Sequence, residues 1–235
     1  MELQKLYSKV RQAIRDYDMI QEGDRIAIGI SGGKDSLTLL YALAGLRKFY
    51  PKKFDIEAVT VDVGVGNMDF APIRELCETL DVRYHLVETQ IFEIAKQKVD
   101  KTLCPLCAKL RKGALNDKAL ELGCNKIAYA HHKDDVVDTF AMSLLFEGRI
   151  HTFSPVTNWD KNGLVLIRPL IYAEEARIKG FATRYALPVV KNLCPQDKNS
   201  GREEIRQLLS QIQGQYPETK NRIFSAICNA HMDDW

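Results

Sequence analysis

Three short stretches hold the residues whose types and spacing could do chemistry. They are Ser31-Gly32-Gly33-Lys34-Asp35-Ser36, His131-His132-Lys133-Asp134-Asp135, and Cys104-Pro105-Leu106-Cys107, with Cys194 far downstream. The first follows the apolar run RIAIGI and opens a helical pattern. Gly32 and Gly33 let the backbone turn so that successive N–H groups face one oxyanion, and the following helix adds the positive end of its dipole. Lys34 brings a full charge, and Ser31 and Ser36 bring hydroxyl donors. That chemistry is phosphate binding. The loop is not a Walker A: Gly29 stands one residue too close to Gly33-Lys34, and Asp35 occupies the position that needs Ser or Thr.

In the second stretch, Asp134 and Asp135 fall where a helix begins and could simply cap it. His131 and His132 are neighbours and cannot share one helical face, which disfavours a two-histidine metal site there. The cysteine pair has several readings: half of a zinc site, a redox pair, or two ligands of an iron–sulfur cluster. No second CxxC exists in the chain, which weakens structural zinc. Cys194 follows a predicted strand and could approach the pair; three cysteines would leave a cubane cluster one iron free to bind a ligand such as sulfide. A thiol pair doing redox chemistry or persulfide transfer is the alternative. The other three of the six cysteines, Cys77, Cys124 and Cys228, sit in apolar or helical patterns and read as core.

The elements that must hold these stretches alternate between strand and helix. RIAIGI, FDIEAVTVD, VRYHLV, NKIAYA and LPVV read as five strands, and GLVLIRPL as a short extended piece. Helical patterns start at Asp35, Pro72, Ile91, Cys107, after Asp135, and at Glu174. The expected fold is therefore α/β: a five-stranded parallel sheet, Rossmann-like, with helices on both faces and extra helices at both termini. Such sheets bind ligands beyond the carboxyl ends of the strands, and the loops with the reactive residues fall there. Residues 151–163 and 194–201 read as polar connections, the most mobile of the chain. At 235 residues, one domain is expected over 1–235, with 1–20 an N-terminal helix and 201–235 a C-terminal helical extension.

The net charge of +2 does not announce a nucleic-acid binder, but Lys96, Lys98, Lys101, Lys109, Arg111 and Lys112 cluster in one region. Of the basic residues, Lys109, Arg111, Lys112 and Arg168 are the candidates for contacts to nucleic-acid phosphates, with Arg168 equally well read as a structural pair. No apolar run approaches a membrane span, and the acid-bearing start MELQKLYSKVRQAIRDYD is neither a signal nor a transit peptide, so a cytoplasmic protein with no membrane partner is expected.

The string SGGKDS resembles the pyrophosphate-binding loop of the N-type ATP pyrophosphatases (the PP-loop superfamily), which adenylate a carbonyl oxygen and release pyrophosphate. The resemblance implies that Ser31, Gly32, Gly33, Lys34, Asp35 and Ser36 hold ATP phosphates with Mg2+ on a sheet of the adenine nucleotide α-hydrolase type. It also implies that Asp62 lies near the nucleoside. AHHKDD resembles the His-His-x-Asp-Asp motif of the members that modify tRNA bases, implying that Asp135, then Asp134 and His132, help place magnesium or the adenylated base. CPLCAKLRKGAL, followed by AHHKDD, IRPL and NLC, is similar to the tRNA 2-thiocytidine synthetase family over roughly residues 20 to 230.

That family adenylates a cytosine of the anticodon loop with ATP and replaces its C2 oxygen with sulfur. The resemblance implies a 4Fe–4S cluster on Cys104, Cys107 and Cys194, with Lys34, Asp35, Asp135 and Cys194 in catalytic roles. It implies tRNA and a sulfur donor such as a cysteine desulfurase as partners; a homodimer is common in the family. Two departures stand out. Asp138 occupies a position usually held by Glu, and Lys191-Asn192-Leu193-Cys194 replaces a second CxxC. The alternatives are sulfur insertion into another tRNA base or a small molecule, and a non-catalytic iron–sulfur or zinc redox sensor, which would need neither ATP-type loop.

Overall fold

The computed structural model describes residues 2–66, 68–98, 103–159, 163–190, 193–194, 201–230 and 235. Its sheet holds β1 (Asp24–Gly29), β2 (Phe54–Asp62), β3 (Arg83–Glu88), β4 (Lys126–Ala128), β5 (Val156–Trp159) and β6 (Leu164–Ile167), in the order β3-β2-β1-β4-β6-β5. β1 lies parallel to both β2 and β4, with Ile26 opposite Ile56 on one side and Lys126 on the other. The chain runs outward from β1 to β3 and then crosses back to β4. The order reverses between β1 and β4, and the carboxyl ends of these strands open the crevice where such sheets take ligands.

Strands buried on both faces read as unbroken apolar runs, and Ile26, Ala27 and Ile28 are all fully buried. Helices α2 (Lys34–Arg47) and α7 (Glu175–Arg184) cover one face; α5 (Cys104–Glu121) covers the other, where Leu115 and Ala119 pack on Ala27, Val59 and Ile127. α3 (Ala71–Thr79) and α6 (Lys133–Glu147) add Ile73, Cys77, Val136 and Val137 to the core under α2 and α7, and α4 (Ile91–Lys98) packs beside α5. The terminal helices α1 (Leu3–Asp16), α8 (Gly201–Gln215) and α9 (Thr219–Asn229) contribute Leu6, Val10, Ile205, Leu209, Phe224 and Ile227 to the larger core. Burying side chains of that size contributes roughly 1.5–3 kcal/mol each before entropy is counted, enough to tie both ends of the chain to the sheet. No helix among the described residues is long and apolar enough to cross a membrane.

The structure corrects the expected sheet. It has six strands rather than five, and β5 runs antiparallel to β6. LPVV is not a strand. Pro188 lacks an N–H, the Val189 N–H turns back to Leu187 O (2.8 Å), and the Val190 N–H donates to Gly32 O at 3.0 Å, so the segment lies along the glycine turn instead of in the sheet. The short extended piece after Gly163 takes the sheet position instead, because LVLI presents a buried face beside β4. Residues 151–163, expected as a polar connection, contain β5. Of residues 194–201, all but Cys194 and Gly201 lie outside the described residues, as does Lys101.

Candidate functional site

β1 ends at Gly29, and α2 starts at Lys34 with Gly33 as its N-cap. Gly32 sits at φ +80°, a region that costs a side-chain-bearing residue energy, and a Cβ there would lie 3.2 Å from Val190 Cβ. The serines lace the turn: the Ser31 N–H donates to Ser36 Oγ (3.2 Å), the Gly33 N–H to Ser31 Oγ (3.3 Å), and the Ser36 hydroxyl to Gly33 O (3.0 Å). The turn is therefore preorganised. Lys34 Nζ stands between Asp35 Oδ2 at 3.0 Å and Glu175 Oε1 at 2.9 Å. Burial works against the Lys34 charge, but the two carboxylates outweigh it and hold the ammonium pKa above its ordinary value.

The second loop leaves β4 and reaches the same place. His132 is buried; its Nε2 lies 3.7 Å from Asp35 Oδ1 and 3.4 Å from Asp135 Oδ2. It is a strut between the two loops. Asp135, at the third position of α6, accepts from the His132 N–H (3.1 Å), as a capping acid does. Its other oxygen faces Arg202 (3.7 Å) and Arg206 (3.6 Å). Asp35 Oδ1 is buried without a hydrogen-bond partner. Burying an oxygen anion unsatisfied is costly, and a carboxylate oxygen left this way, with Asp135 close by across His132, fits a hard cation such as magnesium.

Asp134 is differently used. It accepts from the Glu175 N–H (2.8 Å) and Lys220 Nζ (2.9 Å), so it caps α7 and ties down α9. Asp138 is fully buried on Arg206 (2.7 Å); burial pushes its pKa up despite that partner.

Pro105 lies in the first turn of α5, a place that tolerates its missing N–H. Cys104 and Cys107 stand one helical turn apart there, exposed and half-buried, and Arg111 follows one turn on. The Cys107 thiol is pushed up by burial, opposed by Arg111, and raised further by Cys194 and Cys104. Cys194, distant in sequence, thus shares one electrostatic neighbourhood with the pair. Among the described residues no three His, Cys, Asp or Glu side chains stand close enough to hold a single metal ion. Iron–sulfur clusters are ligated by cysteine thiolates, and the chemistry of this donor set, Cys104, Cys107 and Cys194, fits such a group. Of the remaining three, burial pushes Cys77 up to about 12 and Cys124 up to about 11, which makes them inert core thiols, while Cys228 is half-buried against the core rather than inside it.

Arg168 takes the structural option. It is buried; Nη1 donates to Ser154 O and to Thr157 Oγ1 (3.0 Å), Nε donates to His131 Nδ1 (3.3 Å), and the guanidinium lies 4.8 Å from the Phe153 ring centre. Because His131 Nδ1 accepts, its proton resides on Nε2. Burial, then Arg168, pushes the His131 pKa down to about 4. The unfolded imidazole titrates near 6.5, so between those values the unfolded chain binds a proton that the folded chain does not. Stability is complete above pH 6.5 and falls as pH drops toward 4, by up to about 3 kcal/mol. Urea unfolding at pH 7 and at pH 5 should register this loss, and His131→Gln should shrink it.

One cavity of about 830 Å3 joins these parts. Its walls include Ser31, Gly33 to Ser36, Asp62 with Val59 to Val63, Met68 and Phe70, then Arg111 and Lys112, and finally Tyr129, His131 and Asp135. That volume is ample for a nucleotide with part of a second substrate. Asp62 lies at the end of β2, where its Oδ1 accepts from the Gly64 N–H (2.9 Å). Lys109, on α5 with Arg111 and Lys112, is exposed and not among the lining residues. Burial lowers the Lys112 pKa, and Arg168 lowers it further.

Sequence reasoning missed Glu175, Arg202, Arg206 and Lys220. Each lies on a helix beyond the second loop, and only the packing of α7 onto α2, and of α8 and α9 onto α6, brings them to the loops. Charged residues at helix starts gave no local signal of it.

The model of the PP-loop domain family matches residues 2–212. A protein named tRNA-cytidine(32) 2-sulfurtransferase from Anaeromyxobacter dehalogenans is 36% identical over 226 residues, covering 95% of this chain and 78% of that protein. One of the same name from Saccharophagus degradans is 37% identical over 234 residues, 97% of this chain and 76% of that one. Among solved structures, the U34-tRNA thiolase NcsA from Methanococcus maripaludis, seen with its 4Fe–4S cluster, superposes with TM-score 0.75 at 24% identity, over 95% of this chain and 76% of that one. This last likeness bears on the fold alone.

Proposed function

The chain belongs to the PP-loop domain family, with relatives named tRNA-cytidine(32) 2-sulfurtransferase, and from that premise we propose that it is an ATP-dependent tRNA sulfurtransferase. It adenylates the C2 oxygen of an anticodon-loop cytidine and exchanges that oxygen for sulfur. The observation that carries this is the shared cavity: phosphate loop, second acidic loop and basic helix α5 face one space, and Arg111 on its wall stands one helical turn from Cys107. Cytidine 32 is the residue that the relatives' name specifies.

The N–H groups of the Gly32–Gly33 turn, the α2 N-terminus and Lys34 hold the β- and γ-phosphates. Val59 to Val63, Met68 and Phe70 enclose the nucleoside beside Asp62. Asp35 and Asp135 would hold magnesium, oriented through His132, and so spread the phosphate charge. The pyrimidine oxygen attacks the α-phosphorus: a C–O–P bond forms, the bond to the bridging oxygen breaks, and pyrophosphate leaves toward Lys34. Fixed donors stabilise the charge developing there without reorganising. Sulfur then adds at C2, and AMP departs with the oxygen. Cys104, Cys107 and Cys194 would hold a 4Fe–4S cluster, which when bound supplies the sulfur-bearing centre.

A loop cytidine is cheaper to unstack than a paired one. Lys109, Arg111 and Lys112 track the RNA phosphates toward it, while Arg168 fixes His131. Residues 1–235 act as one domain, with 1–20 and 201–235 as terminal helical additions. A cysteine desulfurase is the sulfur donor, in the cytoplasm, and the protein works as a homodimer.

The test is anaerobic reaction of the protein with cluster, tRNA, sulfide, ATP and magnesium, with nucleoside analysis by mass spectrometry. 2-Thiocytidine that appears only with ATP is expected. Thiolated uridine, or no thionucleoside while a small thiol acceptor is modified, would overturn the cytidine reading.

A further inference from the structure

We propose that Glu175 sets how tightly the phosphate loop holds pyrophosphate, by competing with it for Lys34; this rests on the ATP reading above. Glu175 is the first residue of α7, and its Oε1 lies 2.9 Å from Lys34 Nζ. The carboxylate is held there from behind. Its own N–H donates to Asp134 Oδ2 (2.8 Å), Asp134 is tied to Lys220 (2.9 Å), and Ile178 and Phe181 of α7 are fully buried beside α2 in the main core. The acid therefore cannot swing away with its helix.

With Asp35 Oδ2 also at 3.0 Å, two of the three Lys34 N–H donors face carboxylates. Phosphate oxygens can take the ammonium only by displacing a carboxylate, and a negative charge that stays close repels them. ATP tolerates this because the nucleoside half of the cavity adds apolar contacts around Val59, Met68 and Phe70. Pyrophosphate has no such contacts. The competition falls hardest on the product and favours its departure once the α–β bond has broken. Arg206 is a second cation acting on Glu175, so the carboxylate keeps a favourable field when phosphate takes Lys34.

Isothermal titration of the full chain with inorganic pyrophosphate and magnesium tests this. Glu175→Gln should bind pyrophosphate about tenfold more tightly, and in turnover its kcat should fall with product inhibition strengthened. In a Lys34→Gln background the same substitution should tighten pyrophosphate binding by a clearly smaller factor, because the direct repulsion remains but the competition for the ammonium is gone. Unchanged or weaker binding by Glu175→Gln, or tightening just as large without Lys34, would overturn the competition and leave Glu175 a structural or merely repelling acid. Wild-type protein that binds neither ATP nor pyrophosphate would sink the ATP reading, and this inference with it.

Discussion

Cys104→Ser, Cys107→Ser and Cys194→Ser should each yield a folded protein that binds ATP, carries no cluster iron and makes no 2-thiocytidine. The expectation rests on a separation between stability and chemistry. Cys104 is exposed, Cys107 and Cys194 are half-buried, and none belongs to either apolar core. Exchanging such a thiol for a hydroxyl should change stability by no more than about 0.5 kcal/mol. A cubane with only three protein ligands, by contrast, cannot spare one: serine is a poor ligand for iron that prefers thiolate. Iron and sulfide content after anaerobic reconstitution, read beside the visible absorbance, measures it. Cys124→Ser is the control, since a buried core thiol should cost stability while iron stays bound. Full iron content in the Cys194→Ser protein would break the three-cysteine assignment and favour a persulfide carried by the CxxC pair.

Lys34→Met should abolish adenylation with the fold intact. Lys34 is the cation at the phosphate turn, with Asp35 and Glu175 as its partners at 3.0 and 2.9 Å. Removing one preorganised donor from a developing charge typically lowers turnover about 10²–10³-fold. Here the loss should be at least as large, because the substitution also leaves two carboxylates facing the phosphates uncompensated. Pyrophosphate release in the presence of tRNA gives the number directly. Stability should change little, since the lysine and both carboxylates remain about a third exposed. Release within threefold of wild type would mean that the turn binds something other than the leaving pyrophosphate. The cysteine variants and Lys34→Met together separate delivery of sulfur from activation of the oxygen.

The phosphate turn was legible because its chemistry is local. Gly32 needs φ > 0, Lys34 and Asp35 open a helix, and Ser31 and Ser36 satisfy the turn's own backbone, all within six consecutive residues. The strand–helix alternation was legible for the same reason, since periodicity is written residue by residue, and β1, β2, β3 and β4 stand where the apolar runs predict. Strand pairing is not local. LPVV carries the composition of a strand, yet the Val190 N–H goes to Gly32 O, and LVLI takes its place beside β4. What decided between them was which segment the parallel neighbour could reach with its hydrogen bonds, a matter of position in space.

The charge partners were likewise decided by the tertiary structure. Nothing near Asp134 in sequence says that it caps a helix beginning 41 residues later, or that Lys220 closes on it from α9. Nor does the sequence say that Arg168 meets Ser154 and His131; a guanidinium withdrawn from water must spend its donors on nearby oxygens and ring nitrogens, and the fold brings these within reach. The sequence by itself determined which chemical groups this protein owns and the loops that present them. The tertiary structure alone decided which of those groups face one another, because charges and hydrogen bonds act through distances that the order of residues does not contain.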